Sequence, residues 1–173
     1  MAGMRLSVED RAALEVLIES LNADGYLADA LDDIALRLAD MLGLPADDDE
    51  AREELMSRLQ CALKWLHSMD PPGVGARDLG ECLCLQLLAG PRDAVHSIAV
   101  QICQHHLELL AKRDFRRLAL AIGTSEELVR EAQALIVQCE PKPGRPFEHT
   151  ETYAVVPDVI VRRSGRGLKV ALN

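Results

Sequence analysis

The chain has 173 residues, 49% of them apolar but only 3% aromatic, and 28 acids against 19 lysines and arginines give a net charge of −9. That length allows one or two compact domains, the aliphatic composition favours helices, and the acidity excludes a surface that as a whole neutralises phosphates. Cys61, Cys82, Cys84, Cys103 and Cys139 fit no zinc spacing, and there is neither a signal peptide nor an apolar run of membrane-spanning length, so the expectation is a cytoplasmic protein with free thiols and no membrane partner.

Taken in order, Ser7-Val8-Glu9-Asp10 is a capping signal for a first helix carrying Leu14, Leu17, Ile18 and Leu21 at helical spacing. Asn22-Ala23-Asp24-Gly25 ends it. A second helix shows Leu31, Ile34, Ala35 and Leu38 and stops near Gly43-Leu44-Pro45. Asp47 with Glu50 reads as a capping box for a longer third helix, with Leu55, Leu59, Leu63 and Leu66 as its apolar stripe. Between Asp29 and Glu54 lie ten acids and two arginines, the composition of a solvated face or of one that meets a basic partner.

Leu66 to Leu79 breaks the pattern. Pro71 and Pro72 stand side by side, and each costs about 3 kcal/mol inside a helix. Pro71 also drives Asp70 out of the helical region, and Gly73 and Gly75 add backbone freedom before Arg77-Asp78-Leu79 restarts a helix. Two readings stand for this stiff turn: a corner between helices, or a shaped docking element. Leu79, Leu83 and Leu87 mark the fourth helix, ending at Gly90-Pro91, and Val95, Ile98, Ala99, Ile102, His106 and Leu109 a fifth. His105 and His106 point about 100° apart on such a helix, which suits one half-buried and one exposed imidazole, not a shared metal.

Phe115 to Arg130 resembles a helix-turn-helix, with Ala119, Gly123 and Val129 at the small, turn and core positions and Thr124 with Glu127 as a capping box. A base reader needs basic or amide side chains at the start of its second helix. Glu126 and Glu127 stand there instead and repel phosphates, so the unit reads as structural. Lys112, Arg113, Arg116 and Arg117 form a local basic patch suited to an acidic protein surface or a phosphate. A partial repeat is visible: a helix ending at Gly43 or Gly123, a long helix, then Asp70-Pro71-Pro72-Gly73 or Glu140-Pro141-Lys142-Pro143-Gly144.

From Tyr153 the period becomes two. Val155, Val159 and Val161, a turn at Ser164-Gly165-Arg166-Gly167, and Leu168, Val170 and Leu172 read as a β-hairpin, with Pro157 at an edge. The expected fold is mostly α: helical lobes over residues 7–90 and 91–146, the second with the helix-turn-helix-like unit, then a hairpin segment over 147–173. No phosphate loop, nucleophile elbow or paired carboxylates mark an enzyme, and no cofactor is expected.

Met69 to Leu79, followed by Glu81-Cys82-Leu83 and Leu85-Gln86-Leu87, closely resembles the core-binding region of sigma-54-type bacterial RNA polymerase sigma factors. Asp24-Gly25-Tyr26-Leu27, His106 to Phe115, Pro141-Lys142-Pro143-Gly144-Arg145 and Tyr153 to Asp158 match in the same order, so the resemblance runs from about residue 8 to 173. It implies a non-catalytic subunit that docks on the β and β′ subunits of core RNA polymerase. Promoter DNA and the ATP-driven activator are met by regions of the parent factor that this chain lacks, and the hairpin segment leads toward one of them. Asp70, Pro71, Pro72, Gly73, Val74, Arg77, Asp78, Arg113, Arg116, Arg117, Lys142 and Arg145 are the expected partner contacts. For Arg77 a second reading stands beside this one: its planar fork suits a partner carboxylate, or Arg77 and Asp78 cap the fourth helix. The rival function is a stand-alone helix-turn-helix DNA-binding regulator turning at Gly123.

Overall fold

The chain alternates short helices with tight, polar turns, and nearly every helix start is marked by a side chain that closes it. The computed structural model describes residues 6–45, 48–147, 159–164 and 167–172. Eight α-helices lie in the described residues: α1 (Val8–Glu19), α2 (Leu31–Leu42), α3 (Asp49–His67), α4 (Leu79–Leu88), α5 (Ala94–His105), α6 (Leu107–Ala111), α7 (Phe115–Ile122) and α8 (Glu126–Gln138). A 3-10 turn follows at Arg145–Phe147, and β1 (Val159–Ser164) pairs antiparallel with β2 (Gly167–Leu172), Val161 opposite Val170. The expected turn at Gly165 and Arg166, and Tyr153 to Pro157, lie outside the described residues.

Six helices begin on a Ser or Asp oxygen that accepts an N–H three residues on: Ser7 from Asp10 at 3.1 Å, Asp48 from Ala51 at 3.0 Å, Asp78 from Glu81 at 2.9 Å, Asp93 from His96 at 2.8 Å, Asp114 from Arg117 at 3.1 Å and Ser125 from Leu128 at 3.3 Å. Each such bond satisfies one of the orphan donors of a first turn. Two caps fall one residue later than expected. α3 is capped by Asp48, and the expected Asp47 lies outside the described residues. At α8, Gly123 is left-handed at φ 77° and the Thr124 N–H turns back to the Ala119 carbonyl at 2.9 Å, so Thr124 still belongs to the end of α7. Ser125, extended at φ −84° and ψ 154°, takes the cap. The expected fifth helix is also two: His106 leaves the helical region at φ −134°, and α6 restarts beyond it.

Two buried clusters carry the fold. Leu14, Leu17, Leu27, Ile34, Leu59 and Leu63 lead the first, in which α1 and α2 both lie against α3. Ile102, Leu118, Val129, Ala132 and Ile136 lead the second, built by α5, α7 and α8. Fully burying one such Leu or Ile stabilises by about 1.5–3 kcal/mol. α4, grouped with the first lobe by sequence, packs Leu83, Cys84 and Leu87 into the second cluster. The packing therefore divides at the Pro-Gly corner. The repeat is visible as two helix pairs, α2–α3 and α7–α8, each turning on a left-handed glycine, Gly43 at φ 68° and Gly123.

Candidate functional site

The corner between α3 and α4 is tied into the molecule at nearly every residue. Ser68 Oγ donates to the Trp65 carbonyl at 2.7 Å, and His67 Nε2–H donates to the Gly75 carbonyl at 3.0 Å. Gly73, at φ 98°, sits on α4, where an added Cβ would lie 2.8 Å from Gln86 Nε2 and 2.9 Å from Cys82 Sγ. Neither a side chain nor an ordinary backbone conformation fits there. Ala76 is fully buried. Arg77, just ahead of the Asp78 cap, folds onto the first turn of α4: Nε and Nη2 donate to the two Glu81 oxygens at 2.9 and 2.7 Å, and the Arg77 backbone N–H adds a third bond at 2.8 Å. Arg77 holds the Glu81 carboxyl below the usual carboxylate range, and Glu81 in turn pushes the guanidinium up.

Two further turns close on this corner. The Gly75 N–H donates to the Gly25 carbonyl at 2.9 Å, and the Leu27 N–H to the Ala76 carbonyl at 3.0 Å. From the other side, the Gly144 N–H donates to the Asp24 carbonyl at 2.9 Å. Lys142 Nζ reaches Asp24 Oδ2 at 2.8 Å and Arg145 Nε reaches Asp24 Oδ1 at 3.0 Å, so one carboxylate holds two cations. The Tyr26 hydroxyl donates to the Pro141 carbonyl at 2.6 Å. Gln86 of α4 completes the hold: its amide donates to the Glu140 carbonyl at 2.7 Å and accepts the Glu140 N–H at 2.8 Å. Lys142 above all, and then Arg145, hold the Asp24 carboxyl below its ordinary range, while burial pushes the Tyr26 phenol up. At Gly144 an added Cβ would lie 2.5 Å from the Gly25 nitrogen, backbone against backbone. Three turns from distant parts of the chain, around Gly25, Gly75 and Gly144, thus form one hub between the two clusters.

The expected contact residues separate into two groups. Gly73 is buried, Val74 packs on the first cluster, Asp78 caps α4, Arg77 is paired with Glu81, and Lys142 and Arg145 are held by Asp24. These residues build the hub. Asp70 is exposed beside the half-buried Pro71 and Pro72 at the corner's outer edge. Arg113, Arg116 and Arg117 are exposed on the α6–α7 link and the first turn of α7. Arg117 lies 3.4 Å from Asp114, and Arg113 closes α6 in the left-handed region at φ 55°. Asp24, Tyr26 and Gln86 were not among the expected site residues, although Asp24-Gly25-Tyr26 and Gln86 stand in the matching stretches that led to the resemblance.

Among the described residues no group of three or more His, Cys, Asp or Glu side chains could hold a metal ion. His105 is exposed and His106 half-buried. The five thiols are free, Cys61 exposed and Cys82, Cys84 and Cys103 buried, with burial pushing the Cys82 and Cys139 thiols up and so keeping them neutral. No described helix is long and apolar enough to cross a membrane. The arrangement presents fixed shape and charge.

Comparison with known proteins bears on what that shape serves. A family model described as "Sigma-54 factor, core binding domain" matches residues 1–173. The RNA polymerase sigma-54 factor of Acidithiobacillus ferridurans is 37% identical over 169 residues, which is 96% of this chain and 33% of that protein. That of Azotobacter vinelandii is 36% identical over 169 residues, 97% of this chain and 32% of that protein. That of Escherichia coli K12 is 32% identical over 166 residues, 95% of this chain and 32% of that protein. The chain thus spans about a third of the length of the curated relatives it matches.

Proposed function

The chain belongs to the sigma-54 core-binding-domain family, and we propose that it grips core RNA polymerase as one preset unit during transcription initiation, catalysing no step itself. The observation that carries this docking mode is the mutual hold of the Gly25, Gly75 and Gly144 turns. Lobes whose relative position is fixed before encounter lose little freedom on binding, and the saving appears as affinity. A stable interface covers around 800 Å² on each partner, and lobes joined by such a hub offer that area without first having to order.

Two features are assigned to the interface: the rim of the corner, exposed Asp70 with half-buried Pro71 and Pro72, and the exposed cations Arg113, Arg116 and Arg117. Gly73, Val74, Arg77, Asp78, Lys142 and Arg145 act through the scaffold that holds these surfaces in place. The β and β′ subunits are the proposed partners, in the cytoplasm. Promoter DNA and an ATP-driven activator are assigned to the remainder of a longer factor, toward which residues 147–173, with the β1–β2 hairpin, lead. Base reading by α8 is not assigned, because Glu126 and Glu127 occupy its first turn.

The test is co-migration of the purified chain with purified core polymerase on a native gel, scored against a full-length sigma-54 factor as competitor. Binding displaced by the competitor supports the proposal, and separate migration under low-salt conditions overturns it. Charge reversal at Arg116 and Arg117 lowers affinity for core polymerase without changing the thermal midpoint. Sequence-selective retention of duplex DNA by the chain alone favours a DNA-binding regulator instead.

A further inference from the structure

We propose that the trough between α1 and α2 is the seat of a basic amphipathic helix presented by core RNA polymerase. This rests on the docking reading above and names the partner's chemistry at one place. α1 and α2 both pack on α3, and between them lies a cavity of about 380 Å³, within the range of ligand clefts at roughly 300–1,000 Å³. Its wall is apolar: Ala12 and Ala13 from α1, Leu38 and Leu42 from α2, Ala51 and Leu55 from α3. Alanine stands at three lining positions where a longer side chain would fill the space, and the trough is left open. Leu42 is 61% exposed, and Met41 beside it 82%.

The rim selects the sign of the occupant. Arg58 is ringed by Glu9, Asp10 and Glu54, which leaves a net negative edge. Lysines or arginines flanking an apolar stripe complement that edge. A second copy of this acidic chain is repelled by it. The trough also selects the form of the occupant. Its walls are helices whose backbone groups are already bonded, so an extended segment finds no edge to pair with and leaves its own N–H and C=O groups unsatisfied. A helix carries those bonds internally and inserts apolar side chains at i, i+3 or i+4, and i+7.

Two variants block the trough from different sides. Ala12→Phe fills it from an exposed position on α1, and Leu42→Glu places a charge at its mouth. With helical content and thermal midpoint retained, each lowers affinity for core polymerase by at least about tenfold; should one fail to fold, the other carries the test. A photo-crosslinking residue at position 42 is expected to capture a core-subunit peptide with apolar helical spacing and flanking lysines or arginines. Undiminished affinity in a folded variant overturns the inference while leaving the docking reading intact. So does a crosslink to a second copy or to an acidic segment. A wild-type chain that does not bind core polymerase overturns both.

Discussion

Asp24 is the residue on which most of the hub converges: its carboxylate holds Lys142 and Arg145, and its carbonyl accepts the Gly144 N–H. Because the cations lower its pKa in the folded chain, the bond stabilises at pH values above the ordinary carboxylate range and is lost as pH falls through the lowered value. Asp24→Asn therefore lowers the thermal midpoint at neutral pH, and the difference from wild type shrinks on acidification; an unchanged difference at low pH counts against the assignment. Two glycines separate conformation from space. Gly123 needs its left-handed φ but has nothing within 4 Å of where a Cβ would stand, whereas Gly144 abuts the backbone of Asp24 and Gly25. Gly123→Ala should cost about 1 kcal/mol for its conformation. Gly144→Ala should cost about 1–3 kcal/mol for overpacking, together with a loss of amide protection at Gly25 and Gly75, which Gly123→Ala leaves in place.

At the scale of the element, the caps give the sharpest contrast. Ser125→Ala removes the α8 cap and should cost about 1 kcal/mol in chemical denaturation, while Thr124→Ala, one residue earlier, leaves α8 capped and should cost much less. The same shift shows what is legible locally. The apolar spacing of Leu55, Leu59, Leu63 and Leu66 identifies α3, and the helix-ending role of Gly43 and Gly123 is plain from residue type. Which of two adjacent polar residues caps depends on how the preceding turn unwinds, as when Thr124 is drawn back to Ala119. The break at His106 leaves no mark, because Ile102, His106 and Leu109 keep the helical period straight through it. The Arg77–Glu81 bond was within reach, being an i,i+4 pair. The hold of Asp24 on Lys142 was not, since nothing local links residues 118 apart.

For the whole molecule, the consequence is one jointed body whose joint is locked. Asp24→Ala combined with Tyr26→Phe and Gln86→Ala removes the side-chain bonds between the turns while leaving both apolar clusters whole. Small-angle scattering of this variant should show a larger radius of gyration with unchanged helical content, and affinity for core polymerase should fall. An unchanged radius would mean that the backbone bonds between Gly25, Gly75 and Gly144 hold the lobes unaided. Charge is divided along the same line: the ten acids against two arginines between Asp29 and Glu54 fall in the first lobe, whereas Arg113, Arg116 and Arg117 project from the second. The two lobes therefore offer a partner opposite electrostatic faces, and raising salt should weaken docking through both.

The hub also sets an order of events on the ribosome. Each apolar cluster is assembled from helices close together in the chain, and the first is complete once α3 and the Pro-Gly corner have emerged. Its locking partner, the turn around Gly144, is made about seventy residues later. Throughout that interval the nascent first lobe carries Asp24 without its two cations, Tyr26 without its acceptor, and the trough between α1 and α2 already open to whatever meets it.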